Sequence, residues 1–190
     1  MDDKAAVVKR VLAALADGNS EIARAMAQSE YGFSSPLNAG RTYTPDQMMA
    51  IFIQDGFVDR YSGNRLVFPG ALRLLSRLLP AELPFHKNWK MSECHMMYWE
   101  LFPTVDHIIP VGRGGADDES NWVTTSMLRN SAKSNWLLSE LGWTLVPRGD
   151  FRTWDGLTRA FIEYVSSDRS PLADTYIRRW YNAAVKTTAG

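Results

Sequence analysis

The sequence predicts an α+β chain that is mainly helical and is built around one short β-hairpin with a helix packed across it. Apolar residues recur at helical spacing in several segments at both ends of the chain. β-branched and apolar residues instead dominate 104–111 and 121–124, on either side of a loop that contains Gly114 and Gly115. Helical spacing resumes directly after the second of these predicted strands.

The first helices are predicted at 4–17, where Gly18 supplies the stop, and at 21–28. The next stretch, 31–43, is rich in Gly, Ser, Asn and Pro, and it predicts a linker or an ordered loop. The apolar residues that identify the first helix are Val8, Val11, Leu12 and Leu15.

A capping box marks the start of the next helix, because Thr44 can cap it and Gln47 can bond back to the cap. This helix is expected to end at 55–56 and to be followed by a turn at 59–64. Two further helices are predicted before the hairpin. One carries Leu72, Leu75 and Leu79 and stops at Pro80, and the other runs from about Ser92 to Pro103.

After the hairpin, Thr125 or Ser126 is expected to cap a helix that runs to about Ser134. A short helix and a strand-like segment at 143–146 follow, and then two C-terminal helices, the second capped by Ser170-Pro171. We therefore expect an N-terminal helical segment with its linker, a central domain and a C-terminal helical segment, at 1–43, 44–148 and 149–190.

The composition is that of an ordinary globular protein, with 190 residues of which 45% are hydrophobic and 22% are charged. No run approaches the ~18 consecutive apolar residues of a membrane span. The N-terminus lacks the basic start and apolar block of a signal peptide. Cys94 is the single cysteine, so no internal disulfide is possible. These features predict an intracellular, cytoplasmic protein.

The net charge is zero, with 21 basic and 21 acidic side chains, whereas a protein that binds nucleic acid is usually basic. The charges are unevenly distributed, because 60–90 carries six basic side chains against Glu82 alone. Such a patch can bind phosphates while distant acids balance the total, or it can be the solvated face of a helix. The six are Arg60, Arg65, Arg73, Arg77, Lys87 and Lys90.

The most informative residues lie in and around the predicted hairpin. Asp106 and His107 stand in the first strand, Asn121 stands 14 residues after His107, and Asn130 stands nine residues after Asn121 in the following helix. Each of these pieces is common by itself, but the ordered set at this spacing is specific.

This ordered set resembles the HNH endonucleases, which are also called ββα-metal or His-Me finger nucleases. Their pattern has Asp-His-Ile in the first strand, a Gly-Gly loop and an Asn at the second strand. A helix with a His or Asn follows, and a Lys stands three residues later. All five features occur here in that order. Tyr61-Ser62-Gly63 also resembles a turn common in these proteins. The resemblance covers roughly 50–146 and is strongest over 106–133.

The resemblance implies a metal-dependent nuclease that hydrolyses phosphodiester bonds. Asp106 and Asn130 would bind Mg²⁺ or Mn²⁺, because carboxylate and amide oxygens are hard ligands. His107 would accept a proton from the attacking water, and Asn121 would orient the loop and this histidine. The residues expected to contact nucleic acid through its phosphates are Lys133, Arg129 and Arg113.

This assignment needs a particular backbone geometry. Adjacent residues on a regular strand point to opposite faces, yet Asp106 and His107 must serve one phosphate. We therefore expect a strand end or a bulge at this dipeptide.

Many relatives carry two Cys-x-x-Cys pairs that hold a structural zinc, and the second pair would fall at Ser126 and Arg129 here. No structural zinc is therefore expected. Packing by aromatic residues, including Trp122 and Trp136, would hold the core instead.

Three functions stay open on the sequence. The first is a DNA endonuclease of restriction or phage defence that leaves a 5′-phosphate, and a palindromic target would call for a homodimer. The second is a DNA- or protein-binding module that has lost activity, against which the intact Asp106, His107 and Asn130 argue. The third is an RNA-acting or non-specific nuclease. Products formed from duplex DNA, single-stranded DNA and RNA would separate them.

Overall fold

The structure is a computed structural model that describes residues 3–33 and 43–188, so most of the predicted linker at 31–43 lies outside the described residues. Helices and one small antiparallel sheet make up the described part of the chain, in agreement with the predicted α+β class. Within these residues, no helix is long and apolar enough to cross a membrane. The chain divides into two compact units, Met1–Leu37 and Asn38–Gly190.

The secondary-structure elements are numbered in chain order. The helices are α1 (Lys4–Ala16), α2 (Ser20–Tyr31), α3 (Pro45–Gln54), α4 (Pro69–Leu78), α5 (Met97–Glu100), α6 (Met127–Lys133), α7 (Leu138–Leu141), α8 (Thr158–Ser167) and α9 (Thr175–Thr188). The strands are β1 (Pro103–His107) and β2 (Trp122–Ser126).

The first unit is a helical hairpin in which α1 packs against α2. The Asp3 carboxylate caps α1 by accepting the N–H of Ala5, and Arg10 forms an ion pair with Glu30. Val7 is the buried residue of α1. Val8, Leu12 and Leu15 are between 49% and 66% exposed, so the apolar spacing identified the helix but not its buried face.

The core of the second unit is formed by α3, α4, α8 and α9, in which α9 contacts the other three helices and α4 also contacts α8. Phe52, Phe68, Phe161 and Trp180 lie in it, each at most 3% exposed. The rings of Phe68 and Trp180 meet edge to face with centroids 5.5 Å apart. The C-terminal helices therefore share one core with the helices that precede the hairpin.

Two helix caps predicted from the sequence, those of α3 and α6, are present in the structure. The Thr44 hydroxyl accepts the N–H of Gln47 (3.2 Å), and the Gln47 side chain accepts the N–H of Thr44 (3.0 Å), which confirms the capping box. Ser126 caps α6 by accepting the N–H of Arg129 (3.2 Å), which decides between the two predicted capping residues.

Three predicted elements outside the hairpin are wrong in extent or kind. The helix expected from Ser92 is only α5, because the preceding backbone forms turns in which the N–H of His86 is bound by the Cys94 sulfur. The segment 143–146 is not a strand, since its hydrogen bonds to Arg60 include one from the guanidinium and make no ladder. Ser170-Pro171 begins a short 3₁₀ turn, and the Asp174 carboxylate caps α9 instead.

Two buried carboxylates, those of Asp55 and Asp59, connect β2 to the turn at 59–64, which precedes α4. Asp59 accepts hydrogen bonds from the Ser126 N–H, the Thr125 hydroxyl and the Tyr61 N–H at 2.9–3.0 Å. Asp55 accepts the N–H of Thr124 (2.7 Å) and pairs with arginines on either side. Both carboxylates are 1% exposed. Asp59 thus accepts a hydrogen bond from Ser126, the position at which the resemblance implied a zinc-binding cysteine in other proteins.

The aromatic packing predicted around the hairpin is only half present. Trp122 is half-buried and packs against the core. Trp136 is 53% exposed, so it does not hold the core as expected. The carboxylate hydrogen bonds, rather than a second tryptophan, connect these elements.

Candidate active site

The strand β1 ends at His107 because, beyond this residue, the Asn121 side chain forms hydrogen bonds with the backbone in place of a neighbouring strand. The Asn121 Oδ1 accepts the N–H of Ile109 (2.9 Å), and its Nδ2 donates to the carbonyls of Ile109 and Ala116 (both 2.8 Å). The predicted strand 104–111 is therefore too long, and the expected strand end at the Asp-His dipeptide is confirmed.

The loop closed by Asn121 requires both of its glycines. Gly114 has a φ of +90°, which favours a residue without a Cβ. A Cβ on Gly115 would lie 1.9 Å from the Ile109 carbonyl oxygen and 2.8 Å from the Asn121 Nδ2. The Gly-Gly pair therefore lets the loop approach the end of β1 closely.

Asp106 is 9% exposed, and its two oxygens differ in environment. The Oδ2 accepts a hydrogen bond from the Tyr61 hydroxyl (2.7 Å) and lies 3.0 Å from the Lys133 Nζ. Burial and the Asp106 charge raise the pKa of Tyr61, so the phenol stays protonated and donates. The Oδ1 accepts no hydrogen bond from a described residue.

Lys133 lies inside the protein, although the sequence predicted that it contacts a phosphate. Its side chain is 0% exposed, and its Nζ donates to the His107 carbonyl (2.7 Å) as well as pairing with Asp106. The ammonium therefore neutralises the buried Asp106 and fixes the end of β1. This environment favours a positioning role over phosphate contact.

Asn130 lies over the start of β1. Its Nδ2 donates to the Thr104 hydroxyl (2.9 Å) and to the Val105 carbonyl (3.4 Å). Thr104 and Asp106 are two residues apart on one strand, so their side chains share a face. The helix α6 covers this face, with Asn130 over Thr104 and Lys133 over Asp106. Asp106 and Asn130 are thus brought to the same side of β1.

His107 has different neighbours from Asp106, as the alternation of a strand requires. Its Nε2 lies 2.8 Å from the Asp117 Oδ1 and 3.0 Å from the Trp122 Nε1. The Tyr43 ring lies 6.5 Å from the imidazole and 5.0 Å from the Trp122 ring. The imidazole is 6% exposed. The structure therefore surrounds His107 with one acid and two aromatic side chains.

Asp117 and Trp122 both approach the His107 Nε2, and they favour opposite tautomers of the ring. A carboxylate only accepts hydrogen bonds, so its approach to 2.8 Å favours a proton on Nε2, whereas the Trp122 Nε1–H at 3.0 Å favours a lone pair there. An unprotonated Nε2 would accept from Trp122 but would face the lone pairs of the carboxylate. With the proton on Nε2, the lone pair is on Nδ1, which has no hydrogen-bond partner among the described residues.

The predicted phosphate contacts are in part occupied by intramolecular partners. Arg113 pairs with Glu140 (2.9 Å), and the half-buried Arg129 lies over the Trp143 ring at 5.0 Å. Half of the basic side chains at 60–90 are also paired. Arg60 pairs with Asp55, Arg73 with Asp174 and Lys90 with Glu93. This segment is therefore less cationic than its composition indicates.

The oxygens of Asp106 and Asn130 fit a hard divalent cation. Each side chain is held through its other polar atom, which leaves its Oδ1 without a hydrogen bond from the described residues. Mg²⁺ typically keeps several waters and takes one or two carboxylates plus substrate phosphates. No group of three or more His, Cys, Asp or Glu that could hold a metal occurs in the described ranges. Water and phosphate would therefore complete such a site.

The segment around β1 and β2 also matches a known protein family. Residues 92–126 match the model of the HNH endonucleases. This match confirms the resemblance over a segment that contains Asp106, His107 and Asn121 and ends before α6. It indicates nuclease activity, and HNH nucleases act on nucleic acid and generally use divalent metal ions. No curated protein and no solved structure matches the chain.

Three side chains that shape this site do not follow from the sequence pattern. The sequence indicates Tyr61 only as part of a turn, although its hydroxyl donates a hydrogen bond to Asp106. The sequence pattern points to neither Asp117 nor Tyr43. An acidic side chain in the loop between the strands was a weak signal for Asp117, but its neighbours Asp118 and Glu119 carry the same charge.

Proposed function

We propose that this chain is a metal-dependent DNA endonuclease centred on His107, Asp106 and Asn130. The observation that carries the proposal is the state of His107. Its imidazole is buried at the end of β1, and Asp117 engages one nitrogen while the other has no described partner. A histidine held in this way is suited to accept a proton from a water molecule.

Each residue then has a defined part in hydrolysis. His107 accepts the proton of the attacking water at Nδ1, and the Asp117 carboxylate balances the charge that develops on the ring. Asp106 and Asn130 would hold a divalent ion, Mg²⁺ or Mn²⁺, which when bound would supply Lewis-acid stabilisation of the phosphate and the leaving oxygen. Lys133 keeps Asp106 and the His107 backbone in place.

The remaining features are proposed on the family resemblance. They are duplex DNA as substrate, a 5′-phosphate on the product, a role in restriction or phage defence in the cytoplasm, and a homodimer on a palindromic target. Residues 44–148 are proposed as the nuclease domain. Asn121 is proposed to orient the loop beside His107. Arg113 and Arg129 are proposed to contact DNA after leaving their intramolecular partners.

Cleavage of plasmid DNA tests the proposal directly. Wild type, His107→Ala and His95→Ala are incubated with Mg²⁺, Mn²⁺ or EDTA, His95 being an exposed histidine outside the site. We expect wild type and His95→Ala to nick or cut only with metal. We expect His107→Ala to be at least about 100-fold slower, since general base catalysis contributes about 10²–10⁴-fold.

The same assay on single-stranded DNA and RNA defines the substrate. Cutting by His107→Ala at the wild-type rate would refute the mechanism. Cutting of RNA but not of DNA would refute DNA as the proposed substrate. No cutting of any nucleic acid by wild type would refute the proposed nuclease activity and would favour a DNA- or protein-binding module.

A further inference from the structure

We infer that a cationic cleft beside α9 binds the phosphodiester backbone of duplex DNA next to the nuclease centre. The inference rests on the proposed function, because it names a second contact with the same substrate. The cleft encloses about 450 Å³ between the start of α3 and α9. The residues that line it and matter here are Pro45, Asp46, Arg178, Arg179, Asn182 and Lys186.

The polar side chains of the cleft lie along the exposed face of α9. Arg179, Asn182 and Lys186 are three and four residues apart, so they follow one side of the helix. Ile177 and Trp180 are at most 3% exposed and fix α9 in the core. Arg179 and Lys186 are seven positions apart, which spans about 10 Å along the helix axis. That length covers about three steps of one DNA strand at about 3.4 Å each.

The arginines of the cleft keep donors for a phosphate. Lys186 forms an ion pair with Asp46, so these two charges offset each other. Arg178 donates one hydrogen bond to the Leu172 carbonyl (3.3 Å). Neither Arg178 nor Arg179 pairs with a carboxylate in the described part of the chain. A guanidinium has five N–H donors in a planar fork that matches phosphate, so most of them are available.

Tyr43 connects the cleft to the catalytic histidine. Its ring lies 6.5 Å from the His107 ring, and Pro45 and Asp46, which line the cleft, follow two and three residues later. Three residues span at most about 11 Å. The cleft therefore lies within reach, over a few nucleotides, of a DNA strand whose scissile phosphate lies at His107.

Binding of labelled duplex DNA in EDTA, at several salt concentrations, tests the inference without cleavage. The variants are Arg179→Ala, Arg179→Lys and Arg152→Ala, the last being an exposed arginine outside the cleft. We expect Arg179→Ala to bind more weakly. Its slope of log affinity against log salt should fall by about 1, the value expected for one lost phosphate contact. Arg179→Lys should recover most of the slope, and Arg152→Ala should match wild type.

The outcomes separate the cleft from the nuclease. If wild type cuts DNA and Arg179→Ala keeps both its affinity and its salt slope, the cleft inference is refuted and the nuclease stands. An equal loss of affinity in Arg152→Ala would also refute it, because the loss would then come from the overall charge of the protein and not from the cleft. If wild type neither binds nor cuts DNA, both proposals fail. Binding to RNA but not to duplex DNA would refute the ligand named here.

Discussion

In the proposed nuclease, the contact between Asp117 and His107 would determine which imidazole nitrogen acts as a base. Proton transfer from water needs a lone pair that points at the substrate, so the tautomer matters as much as the position of the ring. Asp117 is about half exposed, but the imidazole is almost fully buried. The buried imidazole therefore has few other hydrogen-bond acceptors for its N–H besides the Asp117 carboxylate.

Replacing Asp117 by alanine should change the tautomer of His107 and slow cleavage. We expect the wild-type ring to carry its proton on Nε2, and Asp117→Ala to populate the other tautomer with Trp122 donating to Nε2. The turnover rate should fall at least about tenfold with little change in KM, since Asp117 acts through His107. The ¹⁵N chemical shifts of the metal-free protein report the tautomer, and only three histidines contribute.

Glu119→Ala is the matched control, because Glu119 is an exposed acid in the same loop. It should leave both the ¹⁵N shifts and the rate unchanged. If Asp117→Ala retains the wild-type tautomer and rate, Asp117 is not a positioning residue. A change of rate without a change of tautomer would show that it acts in some other way.

The sequence could predict some residues of this site and not others. Asp106, His107, Asn121 and Asn130 follow from an ordered spacing along the chain. Asp117 does not, because spacing alone cannot choose among three consecutive acids in a loop. Its contact depends on how Asn121 folds that loop back onto β1.

At the level of elements, the hairpin is held to its surroundings by buried carboxylates. Asp59 accepts three hydrogen bonds, from the Tyr61 and Ser126 N–H groups and from the Thr125 hydroxyl. It connects the 59–64 turn to the end of β2 and the start of α6. Hydrogen bonds to a buried charge are stronger than average, and a donor left unpaired costs about 1–3 kcal/mol.

Asp59→Ala should therefore lower the free energy of unfolding by about 3 kcal/mol or more. Asp59→Asn keeps one acceptor oxygen and should lose less. Urea unfolding of both variants and of wild type measures the difference. The alanine and asparagine variants would unfold alike if the hydrogen bonds contribute nothing and only the packing volume matters. Loss below about 1 kcal/mol in both would show that Asp59 does not hold the hairpin.

Predictions for elements succeed where the determinant is local. The capping box at Thr44 and the turn at 59–64 depend on residues three to five positions apart. The segment 143–146 reads as a strand but has no strand to pair with, since its partner Arg60 lies 86 residues away in sequence and offers a side chain. Pattern alone contains no information about such a partner.

For the molecule as a whole, the C-terminal helices belong to the structure that carries the active site. The helix α9 contacts α3 and α4, and α3 in turn contacts both strands of the hairpin. The rings of Phe52 and Phe68 both meet Trp180, with centroids 6.4 Å and 5.5 Å away. The periodicity of α8 and α9 predicted two helices, but it could not show which core they enter.

Trp180→Ala tests how much this core contributes to the stability of the second unit. Trp180 is 3% exposed, so we expect the free energy of unfolding to fall by about 3–5 kcal/mol, the usual cost of removing a buried tryptophan. Trp136→Ala is the matched control, because the same side chain is removed where it is 53% exposed, and it should cost about 0.5 kcal/mol or less. Urea unfolding measures both.

A chain that ends at Gly149 extends the same test to the expected division at 149. Without α8 and α9 it lacks Phe161 and Trp180, and the apolar faces of α3 and α4 lose the helices that cover them. We expect it to show no cooperative unfolding transition and no metal-dependent cleavage. A truncated chain that unfolds cooperatively and cuts DNA would instead make 149–190 a dispensable appendage. The cleft on α9 would then be an accessory to a nuclease that folds by itself.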